Sequence, residues 1–91
     1  MQEHDGTLLI GGARLEHVHC ELEKEVSVPN SDNWILAGHL HVTPKMMRFL
    51  EFNRRYLLRL DDGRFGAVAL TRVLREDEGD VDLEFQSNLP R

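Results

Sequence analysis

Residues 18–26 read VHCELEKEV, with Val18, Cys20, Leu22 and Val26 at even positions and His19, Glu21, Glu23 and Glu25 at odd ones. Successive side chains of a β-strand point to opposite faces, so this period of two commits the stretch to a strand with one apolar and one charged face. A helix would scatter both sets around its axis. The strand predicted over 14–28 also holds Leu15, whose odd position breaks the parity. That break predicts a bulge near Glu16 and His17, where an extra residue lets a strand curve. Trp34, Leu36, Leu40 and Val42 repeat the even pattern further on as core positions, and Gly38 among them suits a close backbone approach or a sharp bend.

Between these strands, PNSDN at 29–33 joins a fixed-φ proline to residues whose side chains bond their own backbone, which is turn chemistry. A hairpin through it is expected to pair Leu22 with Leu40, His41 with Glu21 and His39 with Glu23, and to leave His19 one diagonal step from His41. Earlier in the chain, GTLLI ends at Gly11 and Gly12, which supply the positive φ angles of a tight hairpin. After Val42 the period changes. Thr43 is an expected N-cap, Pro44 occupies the first helical position, and Met46, Phe49 and Leu50 fall at helical spacing, so one short helix is predicted over 44–52 with its apolar stripe closing one end of the core.

The segment YLLRLDDGRFGAVALTRV at 56–73 carries the firmest local signal. Asp61, Asp62 and Gly63 separate two alternating runs, predicting a hairpin. A bulged turn that pairs Leu60 with Arg64 is favoured, because it places Tyr56, Leu58, Val68 and Leu70 on one face. REDEGD at 75–80 reads as a solvated turn, and VDLEF at 81–85 turns Val81, Leu83 and Phe85 inward as a last strand.

The order is three strands, a helix and three strands, which predicts a mainly β fold: a small antiparallel β-barrel of about six strands with one short helix. Closing the sheet buries one face and removes exposed edges. In element order alone the chain resembles an OB-fold, with an SH3-like barrel the related solution, and barrels of this kind serve many unrelated functions. Ninety-one residues suit one domain over 1–91, with ends expected to be loose at about 1–6 and 87–91. No apolar run approaches the ~20 residues that cross a bilayer, so no membrane role is expected. The lone Cys20 excludes an internal disulfide and reads as small core filler, and the chain start lacks the basic and apolar regions of a secretory signal. Cytoplasmic residence is expected.

Charge is distributed in blocks. Residues 1–44 hold seven acids against Arg14 and Lys24, residues 45–75 hold eight basic residues against Glu51, Asp61 and Asp62, and the remainder holds six acids against Arg91. Neighbouring strands can neutralise such blocks against each other. No nucleophile elbow, phosphate-cradling glycine loop or paired-cysteine zinc motif is present, so no enzyme activity and no cofactor are expected. The expected function is a non-enzymatic interaction module, an accessory or adaptor protein that binds a partner protein through Arg55, Arg59, Arg72 and, at the hairpin tip, Arg64. Two alternatives stay open. The arginine-rich segment 45–75 would suit single-stranded nucleic acid, although Tyr56 and Phe65 are the only aromatics among Arg54, Arg55, Arg59, Arg64, Arg72 and Arg75. The set His19, Glu21, His39 and His41 would suit zinc, nickel or non-haem iron, although its parity points it at water. The oligomeric state is open.

Overall fold

The sheet begins where a loose end was expected. The computed structural model describes residues 2–87, and its elements are β1 (Gln2–Ile10), β2 (Ala13–Ser27), β3 (Trp34–Val42), α1 (Pro44–Met47), β4 (Arg55–Leu60), β5 (Phe65–Asp77) and β6 (Asp80–Gln86). Residues 2–6 therefore belong to β1, where Gln2 pairs with Leu22 and Gly6 with Val18. Their pairing follows from the length of β2, which runs 15 residues and offers backbone groups far beyond the first hairpin. At the other end, Ser87 donates its backbone N–H to the Leu36 carbonyl, and 88–91 lie outside the described residues.

Six antiparallel strands form one sheet in the order β1-β2-β3-β6-β5-β4, and β4 pairs back with β1, so the ladder closes on itself. Even positions over 6–8, 18–22, 36–42, 56–60 and 66–70 and odd positions over 81–85 point inward. Leu8, Val18, Cys20, Leu36, Leu40, Leu58, Leu83 and Phe85 are fully excluded from solvent as a result. Tyr56 joins this core and accepts a hydrogen bond at its hydroxyl from the Glu51 backbone N–H at 2.8 Å. Burial raises the Cys20 thiol to about 12, with the charges of Asp5 and Asp61 adding to the effect.

The bulges explain how the strands bend. Val18 pairs with Gly6 but Leu15 with Leu8, so Glu16 and His17 together oppose Thr7, and His17 takes a left-handed φ of 59°. This is the bulge that the parity break predicted. A second irregularity between Leu22 and Lys24 was not foreseen. It turns Val26 out to 44% exposure, against the expectation that it points inward. It also adds one residue to a register already one residue off at the turn, where Lys24 pairs with Ala37, so beyond it the pairing lies two residues from the expected one: Leu40 pairs with Cys20 and not Leu22, and Leu22 faces Gly38. A Cβ on Gly38 would overlap the Glu21 carbonyl oxygen. Only glycine lets the two backbones approach this closely.

The helix is shorter than 44–52. Thr43 caps it through its hydroxyl and Pro44 starts it, as expected, but only Pro44–Met47 is α-helical. Backbone bonds from Arg48 to Lys45, Phe49 to Met46 and Leu50 to Met47 then tighten the chain into three-residue turns. Asn53, at φ 62°, donates to the Leu70 carbonyl, and Phe52 bridges to Leu70. Those sheet contacts satisfy backbone groups that a continuing helix would leave elsewhere. Met46, Met47 and Leu50 pack on the core while Phe49 stays 62% exposed, correcting the expected Met46/Phe49/Leu50 stripe. The β4–β5 hairpin has the predicted bulged turn, with Leu60 N–H bonded to the Arg64 carbonyl at 2.8 Å and Gly63 at φ 93°. β5 continues to Asp77, so of the expected 75–80 turn only Glu78 and Gly79 lie between strands.

Two outcomes are expected from this packing. Gly38→Ala should lower the unfolding free energy by about 3 kcal/mol, as overpacking against backbone does, in urea titrations followed by circular dichroism. Cys20 should resist iodoacetamide at pH 8 in the folded protein and alkylate freely once urea unfolds it, because the thiolate is the reactive form.

Candidate metal centre

Pairing carries the polar face of β2 into register with that of β3, and β3 with β6. Two rows cross the outside of the sheet: Asp5, His19, His41 and Asp82 in one, and Glu3, Glu21, His39 and Glu84 in the next. His19 and Glu21 of β2 and His39 and His41 of β3 thus each meet a titratable partner on both sides. The register shift draws the imidazoles closer than expected. His41 lies directly opposite His19, and His39 opposite Glu21 and not Glu23. The rings of His19 and His41 are 5.4 Å apart and those of His39 and His41 5.7 Å.

Glu21 sits at the centre. Its Oε2 is 3.1 Å from His41 Nε2 and 3.2 Å from His39 Nδ1. Asp82 Oδ1 approaches His39 Nδ1 at 2.9 Å and His41 Nε2 at 3.9 Å. On the far side of the His41 ring, Nδ1 lies 3.3 Å from Asp80 Oδ2. With Nε2–H donated to Glu21 and Nδ1–H to Asp80 the ring is held at both nitrogens; loss of the Nε2 proton would keep the Asp80 bond and free an Nε2 lone pair for an ion. His39 and Asp82 are only 16% and 15% exposed at their side chains. The cluster points outward, as parity required, yet it is half-buried among its own members. Glu21, His39 and His41 offer three ligand atoms within 4.8 Å of one another, and Glu3, His19 and Glu21 offer another three.

Electrostatics reflects this crowding. The hydrogen bond from His41 holds Glu21 below the usual carboxylate range, against desolvation and with help from the His39, His41 and His19 charges. For His41, burial disfavours the charged ring. The bonds to Glu21 and Asp80 and the charges of Asp82 and Asp80 outweigh that cost and raise its pKa.

The expected set His19, Glu21, His39 and His41 is thus brought together, while His17 is not part of it. His17 instead lines a separate cleft of about 600 Å³ with Asp5, Glu16, Arg59 and Asp61. Asp80, Asp82 and Glu3 were missed as cluster members. Asp82 alternates with Val81 and Leu83, so its outward direction was readable, but its strand neighbour was not. His4 was missed as well: it lies inside the closed end of the sheet, its Nδ1 bonded to Asp61 at 2.8 Å and its Nε2 3.2 Å from Arg64 Nη2.

The arginines do not converge. Arg64 bonds Glu25 at 2.9 Å and Asp62 at 2.8 Å, and its guanidinium lies over the Trp34 ring at 5.1 Å from the centroid. Arg72 bonds Glu84 at 3.2 Å, and Glu84 is held below its ordinary value first by the Thr71 hydroxyl and then by Arg72. Among the described residues, Arg55 and Arg59 have no ion pair; both lie exposed on the outer side of β4, flanking Leu57. No protein-family model matches the chain, and neither a curated protein nor a solved structure is significantly similar to it.

The hairpin tip yields a pH prediction. The bond from His4 holds Asp61 below the ordinary aspartate value, while Asp62, despite the opposing effect of desolvation, is held low by bonds from the Arg64 backbone and side chain. Folded values below unfolded ones stabilise at pH above the unfolded value, and that contribution disappears as pH falls through the folded values. Urea unfolding between about pH 2 and 5 should therefore show a steep loss of stability toward acid, and a shallower one in the Asp61→Asn, Asp62→Asn double variant.

Proposed function

We propose that the chain is a small β-barrel module, OB-like or SH3-like in element order, that binds a divalent transition-metal ion on the outer face of β2 and β3 through Glu21, His39 and His41. The carrying observation is the spacing of the donor atoms. A tetrahedral ion with bonds of about 2.0–2.1 Å holds its ligands about 3.3 Å apart. Glu21 Oε2 lies 3.1 and 3.2 Å from the two imidazole nitrogens. Two imidazoles and a carboxylate favour zinc(II), with nickel(II) and iron(II) sharing the preference, over the all-oxygen sites of magnesium and calcium. Asp80 supports the centre as the hydrogen-bond acceptor that orients His41, and Asp82 adjoins both imidazoles as a further oxygen donor.

β4 supports a second function, the interaction module. Arg55 and Arg59 flank Leu57, which pairs with Leu9 across the β4–β1 ladder and is half-buried like it, so a cationic rim surrounds an apolar strip on a chain of net charge −5. An acidic protein surface fits this strip better than single-stranded nucleic acid, because Tyr56, the aromatic between the two arginines, is buried in the core and offers no stacking face. Cytoplasmic residence fits a chain whose lone thiol is buried. No helix of the described residues is long and apolar enough to cross a membrane.

Zinc(II) at about a hundredfold excess over Kd should raise the unfolding free energy by about 2.7 kcal/mol, while magnesium leaves it unchanged. The His39→Gln, His41→Gln variant should keep its fold and lose this zinc response. Equal stability with and without zinc, in protein stripped by chelator, would defeat the metal proposal. For the second function, Arg55→Glu with Arg59→Glu should abolish binding to an acidic polypeptide such as poly-glutamate at low salt without altering the circular dichroism spectrum. Salt-sensitive binding to a thymidine oligonucleotide, lost in the same variant, would favour nucleic acid over protein.

A further inference from the structure

Glu21 belongs to two ligand groups at once. On one side it meets His39 and His41; on the other, Glu3 and His19 complete a second triplet whose ligand atoms also lie within 4.8 Å of one another. Both imidazole contacts of the first group are made by Oε2. A carboxylate has a second oxygen, so Glu21 can offer Oε1 to a second ion while Oε2 serves the first. His19 Nε2 lies 3.8 Å from Glu3 Oε1, a separation that a shared ion would close only slightly. The two groups are adjacent and not merged, since the facing rings of His19 and His41 stand 5.4 Å apart. Carboxylate-bridged metal pairs hold their ions about 3.5–4 Å apart, a distance that places one ion beside each of these rings.

Charge points the same way. Glu3, Glu21, Glu23, Asp80 and Asp82 bring five carboxylates within 4.0 Å of the three imidazoles. One divalent ion leaves most of that charge uncompensated, and a second neutralises most of what remains. The half-exposed His19 and the more exposed Glu3, at 44% and 67%, stand in contrast to His39 at 16%. Open ligands are less oriented by their surroundings and bind more weakly.

We infer that the centre is dinuclear: a second divalent transition-metal ion binds between Glu3, His19 and Glu21, and Glu21 bridges the two ions. This rests on the proposed mononuclear site and deepens it. The ions fill in sequence, the β2–β3 site first and the β1–β2 site second. The bridge makes Glu21 the one residue on which both depend.

Calorimetric titration of chelator-stripped full-length chain with zinc(II) tests the inference. Two equivalents should bind in distinguishable steps. His19→Gln should remove only the weaker step, His39→Gln with His41→Gln should remove the tighter one, and Glu21→Gln should weaken both by about tenfold or more. These side chains lie on the outer face, and circular dichroism of each variant confirms the fold. Copper(II) gives an independent readout: bridged neighbours couple magnetically, so the second equivalent should add much less than one spin to the integrated paramagnetic resonance signal. A single zinc equivalent that His19→Gln leaves intact would overturn the dinuclear inference and keep the proposed function. Two equivalents unaffected by His19→Gln, or two full uncoupled copper spins, would also overturn it, whereas no zinc binding at all would overturn both.

Discussion

At Gly38 the backbones of β3 and β2 come so close that any side chain would overlap the Glu21 carbonyl oxygen. This contact locks the register of the two strands. Sliding β3 by one residue would turn its apolar positions to solvent, and sliding it by two would bring Leu40 or Leu36 against a backbone that leaves no room for a Cβ. With Gly38 opposite Leu22, Cys20 meets Leu40 inside while His19 meets His41 and Glu21 meets His39 outside. Core and cluster are thus two faces of one pairing. The irregularity between Leu22 and Lys24 belongs to the same event, since it bends β2 away immediately after the contact.

Closure of the sheet distributes charge in a way that the sum of −5 conceals. The basic middle of the chain forms β4, the hairpin and β5, and the acidic flanks lie around it. Arg64 reaches Glu25 of β2 and Arg72 reaches Glu84 of β6, so part of the excess is neutralised between segments distant in sequence. Such exposed pairs contribute little to stability individually. Their effect is on where uncompensated charge remains: positive on β4 at Arg55 and Arg59, negative around the imidazoles of β2 and β3, beside Asp80 and Asp82 of β6.

Most of the fold was legible because alternation is a direct imprint of the sheet. Val18, Cys20, Leu36, Leu40, Tyr56, Leu58, Val68, Leu70, Val81, Leu83 and Phe85 all face inward as parity demands. The hairpin at Asp61–Gly63 was legible for a different reason, since its glycine and acidic residues permit few turn geometries. Register between β2 and β3 was not legible. The turn between them runs from Val28 to Asn33, and the bulge at Glu23 has no residue type that announces it. The same two-residue difference hid how tightly His19, Glu21, His39 and His41 gather. Asp80 and Asp82 were hidden by topology: nothing local in a strand ending the described chain says that it lies beside β3.

The division of β2 and β3 into inward even and outward odd positions has a consequence for how such a molecule changes over time. The core is a contract among one set of residues, and the cluster is written entirely in the other. Replacing His19 or His41 by cysteine, or Glu21 by histidine, alters the ligand atoms that the surface presents without disturbing a packed side chain. The architecture therefore behaves as a chassis with exchangeable fittings, in which chemical identity can drift through a series of single substitutions while the fold beneath it is inherited intact.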